Sequence, residues 1–279
     1  MFDFRYHALS LVAVFLALGI GIVLGASLGD SVVSEANRDV RSSLRGDVIE
    51  ARSAARAAEA ATANRDEFIS ASFEHLAGDR LRRRRVAVVA SGGLPDAIER
   101  PVRDAVEDAG GTVDSESEFD AQPDLGALSK ELGGGFRRLG ATAGELRPLT
   151  RRLGRALVRG RGPARRLDDA FPDDFTGDFK GADAVVFYRT DGERDERAQR
   201  FEDALVEGLR DTGVPVVGVE VSGEDPSQIQ FYEDAGLASV DDVDQAGGRI
   251  ALVLALRGAD GNFGFKETAD APLPPARRR

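Results

Sequence analysis

The stretch "GIGIVLGASLG", Gly19 to Gly29, carries four glycines in eleven residues and resembles a loop that cradles phosphate. A dinucleotide fingerprint has to follow a strand, open a helix and be answered by an acid on a second strand. These glycines instead lie in an uncharged run from Ala8 to Leu28, whose polar residues are Ser10 and Ser27 alone. The remaining chemistry-bearing residues are scarce or scattered. The absence of cysteine removes disulfides, iron–sulfur clusters, zinc fingers and thiol nucleophiles by inventory. His75 is the one histidine beyond the apolar run, on a helical stretch well ahead of any strand, so a serine nucleophile would lack a base. Asp241, Asp242 and Asp244 form a dense acidic group. In a chain with 48 acids they read as a solvated face rather than as a pair for glycoside hydrolysis. No loop has calcium-ligand spacing. Copper(I) prefers sulfur, which Met1 alone supplies, and copper(II) prefers imidazoles, of which His7 and His75 are far apart. No catalytic, cofactor-binding or metal-binding residue is expected, and the chain reads as a non-enzyme.

An uncharged run of 21 residues is long enough to cross about 30 Å of hydrocarbon as a helix. Gly21, Gly25 and Gly29 would then share one face, a small-xxx-small pattern that lets two helices approach closely. The competing explanation is that glycine is simply common in membrane helices. A cleavable signal peptide would use Arg5 as its charged start and Gly25-Ala26-Ser27 as its cut, but the apolar run is long for one. Arg38, Arg41 and Arg45 beyond the run outweigh Arg5 before it, while Asp30, Glu35 and Asp39 dilute them. The short leading tail favours an uncleaved signal anchor at residues 1–29, with the bulk of the chain outside the cytoplasmic membrane.

Residues 30–80 contain no proline and carry an apolar stripe that includes Val40, Leu44, Val48, Ala51, Ala55 and Ala58, stepped in threes and fours. This spacing predicts a long helix, either a self-associating coiled-coil stalk or a helix folded back on the domain. A homo-oligomer or a membrane-protein partner is the expected assembly.

Val86 to Ala90 reads as a buried strand, followed by Ser91-Gly92-Gly93 and a helix near Pro95. Ala184 to Tyr188 and Val214 to Val221 repeat the strand–helix unit, and Ile250 to Leu256 reads as a further buried strand. Alternating strands and helices predict a three-layer, mostly parallel α/β domain over 81–258, with a loose tail over 259–279. The Gly92-Gly93 pair serves either as an anion nest or as a plain turn. A basic insertion over 133–167 has ten arginines against Glu145. Arg151, Arg152, Arg155 and Arg159 would either contact an anionic partner or pair internally with Asp168, Asp169, Asp173 and Asp174. The formal net charge of −11 argues against nucleic acid as a partner.

The opening "FRYHALSLVAVFLALGIGIVLG" and the late block "SVDDVDQAGGRIALVLALRGADGNFGFKETADAPLP" together resemble the actinobacterial envelope family of the mycobacterial copper transport protein B. The corynebacterial cell-separation protein SteB is similar to that family. The resemblance implies a single-pass envelope protein tied either to copper homeostasis and efflux or to cell separation. It brings no catalytic residues, and Gly133 to Leu167 falls outside it.

Overall fold

The computed structural model describes the backbone of residues 4–275 and the side chains of residues 6–25 and 44–275. The chain divides into two compact units, Met1–Arg65 and Asp66–Arg279. The first is built from helix α1, Phe4–Leu76, which contains Tyr6–Gly25, a segment long and apolar enough to cross a membrane. Leu9, Phe15, Ile20 and Leu24 are all exposed around this segment, as a helix apolar on every side requires of its surroundings. The end of α1 belongs to the second unit, where Ile69 and Phe73 pack on the core.

The second unit is an α/β domain around a seven-stranded sheet of order β3-β2-β1-β4-β5-β6-β7. The strands are β1 Arg85–Ser91, β2 Thr112–Phe119, β3 Phe175–Gly177, β4 Ala184–Arg189, β5 Val216–Val219, β6 Ala238–Val240 and β7 Asn262–Phe263. All neighbours are parallel except β3, which runs antiparallel to β2. The chain moves from β1 outward to β2 and β3, then returns to the other side of β1 with β4. The order therefore reverses between β1 and β4, the place where open α/β sheets leave a crevice.

Alternation along the strands sends side chains to two separate apolar clusters. Ala87, Val89, Val185 and Phe187 meet α3 (Leu125–Leu132), α4 (Ala143–Arg159), α5 (Gly162–Ala170), α6 (Glu196–Arg210) and α7 (Ile229–Asp234). Val86, Val88, Ala90, Ala184 and Val186 meet α2 (Asp96–Asp108), α8 (Ala246–Ala255) and the end of α1. Three crossovers, through α2, α6 and α7, share one hand. The β6-α8-β7 crossover has the other, because α8 lies on the face opposite α6 and α7 while the sheet keeps its direction.

Two sequence expectations are corrected. Ile250 to Leu256 is not a strand: Ile250 to Ala255 are helical, within α8. Ile250, Ala251, Leu252, Val253 and Ala255 are all buried, so no polar stripe reveals the helical period, and a short apolar run fits either element. Nor does the chain come loose at residue 259, since Asn262 and Phe263 pair with Ser239 and Val240 and Ala271 bridges to Phe263. Strand β2 is invisible as a strand because its buried positions include Asp114, Ser115 and Ser117. Asp114 justifies its burial by accepting from the Lys180 and Gly181 amides at 2.9 and 3.2 Å, which ties the approach to β4.

The basic helix α4 crosses α6 at two facing glycines. A Cβ on Gly154 would come within 2.5 Å of the Leu205 carbonyl oxygen, and one on Gly208 would strike the Arg151 backbone. The two backbones can approach this closely only because both positions lack a side chain.

Candidate functional site

The carboxyl edge of the parallel sheet is where an α/β fold places its chemistry. At the end of β1, Gly92 and Gly93 adopt φ of 101° and 95°. A Cβ on Gly92 would collide with the Thr190 hydroxyl, so this position needs glycine for both space and conformation. The Gly92 amide donates to the Phe119 carbonyl at 2.7 Å, and the Leu94 amide donates to the Glu118 carboxylate at 2.9 Å. The loop is a turn in which the Gly92 and Leu94 amides serve the protein's own acceptors.

The crevice between β1 and β4 is filled from within by Arg194, whose side chain is 3% exposed. Its guanidinium donates to the carbonyls of Thr190 (2.9 Å), Gly192 (2.6 Å) and Ser91 (3.0 Å), and to the Ser91 hydroxyl at 3.2 Å. Its Nε donates to Glu202 at 3.0 Å, and Glu202 accepts from Arg189 Nε at 2.9 Å through its other oxygen. Arg189 also bonds Gln228 and lies 4.5 Å from the Phe231 ring centroid. Burial pulls the Arg194 guanidinium below its ordinary value, opposed by the charge of Glu202. The Gln122 amide reaches the Glu193 carbonyl at 3.3 Å, tying the loop after β2 to the loop after β4.

At the ends of β5 and β6 Asp241 and Asp242 are buried rather than solvated, contrary to expectation, while Asp244 is partly exposed. Asp241 and Asp242 are 1% and 2% exposed. Asp241 accepts from the amides of Phe265 and Lys266 at 2.9 and 3.0 Å, and Asp244 accepts from the Ser222 amide and hydroxyl at 2.7 Å. Lys266 pairs with the fully buried Glu220, which also accepts from the Ser227 hydroxyl (2.9 Å) and the Gln228 amide (2.7 Å). Both oxygens of Asp242 are buried without a hydrogen-bond partner. Burial, followed by the charges of Asp241 and Asp244, pushes its carboxyl up to about 7.

Among the described residues, those singled out from the sequence do not converge on one site, although Arg151 and Arg155 meet at Asp211. Gly21 and Gly25 have open space around them, and Leu44, Val48, Ala51, Ala55 and Ala58 are exposed along α1. Gly29 and Val40 lie outside the described side chains. His75 is exposed on the last turn of α1. In α4, Arg151 and Arg155 bond Asp211 at 2.6–2.7 Å, and Arg147 pairs with Glu207. Hydrogen bonds from Arg151 and then Arg155 draw the Asp211 carboxyl down to about 2. The acids that these arginines meet are therefore Glu207 on α6 and Asp211 at its carboxyl cap, not the expected Asp168, Asp169, Asp173 or Asp174. Arg152 lies over the Phe136 ring at 4.9 Å, and Arg159 is exposed at the end of α4. Sequence reasoning missed Arg194, Glu202, Glu220 and Lys266. Arg194 and Lys266 sit in polar loop sequence, Glu202 on a mixed helix and Glu220 just past the end of β5, and at none of these places does burial leave a periodic trace.

Comparison with family models matches residues 1–132 and 175–274 to MctB, described as a copper transport outer membrane protein. No curated protein matches the chain significantly. The unmatched stretch, residues 133–174, holds α4 and α5 and overlaps the arginine-rich segment. With most of its length matched, and with the apolar helix and all seven strands of the sheet inside the match, the chain belongs to the MctB family.

Proposed function

We propose that the chain is a single-pass, non-enzymatic scaffold of the cell envelope, acting in cell separation or envelope maintenance. Its α/β domain lies outside the cytoplasmic membrane. The observation that carries this reading is the pairing of an exposed apolar helix with a domain whose crevice is filled by Arg194. A sheet edge closed by internal hydrogen bonds suits a rigid presenting surface better than a reaction chamber. The apolar clusters on the two sheet faces support a three-layer reading of the domain. In this reading α1 supplies the assembly. Gly21, Gly25 and Gly29 pair helices in the membrane, and Val40, Leu44, Val48, Ala51, Ala55 and Ala58 form a coiled-coil seam beyond it. Gly25→Ile adds a branched side chain where a second backbone would approach. It is expected to abolish most of the self-association signal in a membrane two-hybrid assay, and an unchanged signal removes the glycine face from the proposal.

The family's description favours a second reading, a component of copper transport. The two are separated by titrating the full chain in detergent with copper(I) under anaerobic, buffered conditions. With no cysteine and Met1 as its sole methionine, the chain is expected to bind none. Stoichiometric tight binding would put the transport reading first.

A further inference from the structure

Beside the filled crevice, at the carboxyl ends of β1 and β2, helix α3 and the turn leading to β3 enclose a solvent-facing groove of about 110 Å³. Its floor is apolar: Phe119, Leu128 and Phe175 are buried there, with the Phe119 and Phe175 rings edge to face at 5.1 Å. The half-buried Phe171 forms one wall. Its rim is acidic, from Glu118, Asp120, Asp124 and Asp174, and no lysine or arginine lines it. Asp124 is committed to capping α3, accepting from the Gly126 and Ala127 amides at 2.8 and 3.0 Å. One oxygen of Glu118 holds the Leu94 amide. Asp120 and Asp174 are exposed and Glu118 is half-buried. Burial raises the Glu118 carboxyl, Leu94 opposes this, and the further charges acting on it are the acids Asp174 and Glu99.

We propose that this groove is a docking site for an arginine side chain of a partner protein, its stem on Phe119 and Leu128 and its guanidinium between Glu118 and Asp174. An alkyl stem covers apolar surface while its charged head stays at the rim, which is the chemistry of this groove. A planar guanidinium also suits the Phe171 wall. The protein uses the same device on itself, seating Arg152 over Phe136 and Arg189 over Phe231. A hard divalent cation wants a shell of oxygens and gains nothing from a phenylalanine floor. The net charge of −11 would steer a basic partner toward the domain.

The inference rests on reading the domain as a binding module. Anchor pairing is measured separately through Gly25→Ile, so either can fail without the other. The test is saturation-transfer NMR on the full chain in detergent, titrated with the blocked tripeptides Ala-Arg-Ala and Ala-Leu-Ala. Ala-Arg-Ala is expected to saturate with a dissociation constant on the order of 1 mM, with Ala-Leu-Ala at least about tenfold weaker. Glu118→Gln keeps an acceptor for the Leu94 amide while removing the charge, and should weaken the arginine peptide by about tenfold. Ala127→Met fills the groove without touching its charges and should abolish binding. Equal binding of the two peptides, no saturation, or full affinity in both variants would overturn the proposal. So would calcium that saturates the chain and displaces the arginine peptide.

Discussion

Arg194→Met is expected to lower the stability of the α/β domain by about 3–5 kcal/mol, the cost of taking one partner from a buried charge network and the donor from three carbonyls. Glu202 is 2% exposed and would keep Arg189 alone, while the Ser91, Thr190 and Gly192 carbonyls would each lose a donor. Methionine has a comparable stem, so the loss reports the guanidinium rather than a cavity. Denaturant unfolding of the full chain, followed by near-ultraviolet circular dichroism, would measure it. Adding Glu202→Leu should recover part of the loss, because the double variant no longer buries a carboxylate that has kept one of its two partners. A midpoint shift worth less than about 1 kcal/mol for Arg194→Met would mean that water replaces the guanidinium in the crevice, and that the crevice is accessible after all.

The second large effect concerns pH. Asp242 titrates at about 7 in the folded domain against an ordinary 3.8. The folded state thus holds a proton that the unfolded chain gives up, and stability falls as pH rises through the window from about 4 to about 7. Below this window both states are protonated and the contribution is fully present. Above it the penalty levels off. The shift sets a ceiling of roughly 4 kcal/mol, at about 1.4 kcal/mol per unit. Water entry around the ionised carboxylate brings the expected loss below that ceiling, to about 2 kcal/mol. Asp242→Asn should flatten that slope, and at pH 8 it should be at least as stable as the parent. Persistence of the same slope in the variant would assign it to other groups, for instance Glu116 or Asp203, which burial also raises.

The sequence made the frame readable wherever burial and periodicity agree. Val86 to Ala90 and Ala184 to Tyr188 are strands because unbroken runs of apolar residues suit a sheet covered on both faces. The same rule misleads at Ile250 to Leu256, where a helix buried all round offers no polar face to reveal its period. The site failed for a different reason. Lone polar residues in loops, such as Arg194 and Lys266, acquire their roles only when strands distant in sequence bring acceptors to them, and spacing along the chain does not encode that meeting. The acids Asp241 and Asp242 look like any solvated cluster. The loop around Gly264 closes over Asp241, whose carboxylate leaves no room for a Cβ on Gly264, and α8 packs on Asp242 at Gly248, where a Cβ would strike it.

A segment that a family comparison passes over invites the thought that it can be trimmed away. In this chain the segment is masonry. Phe136, Leu146, Leu153, Leu157 and Leu167 all come from residues 133–174 and form part of the wall behind Phe187 and Leu205. Cutting the protein back to its matched stretches would expose the inner side of α6 and leave Glu207 and Asp211 without their arginines. A shortened version prepared for crystallisation or for an interaction screen would therefore be a sticky, half-roofed sheet. Any binding it showed would report the wound and not the protein.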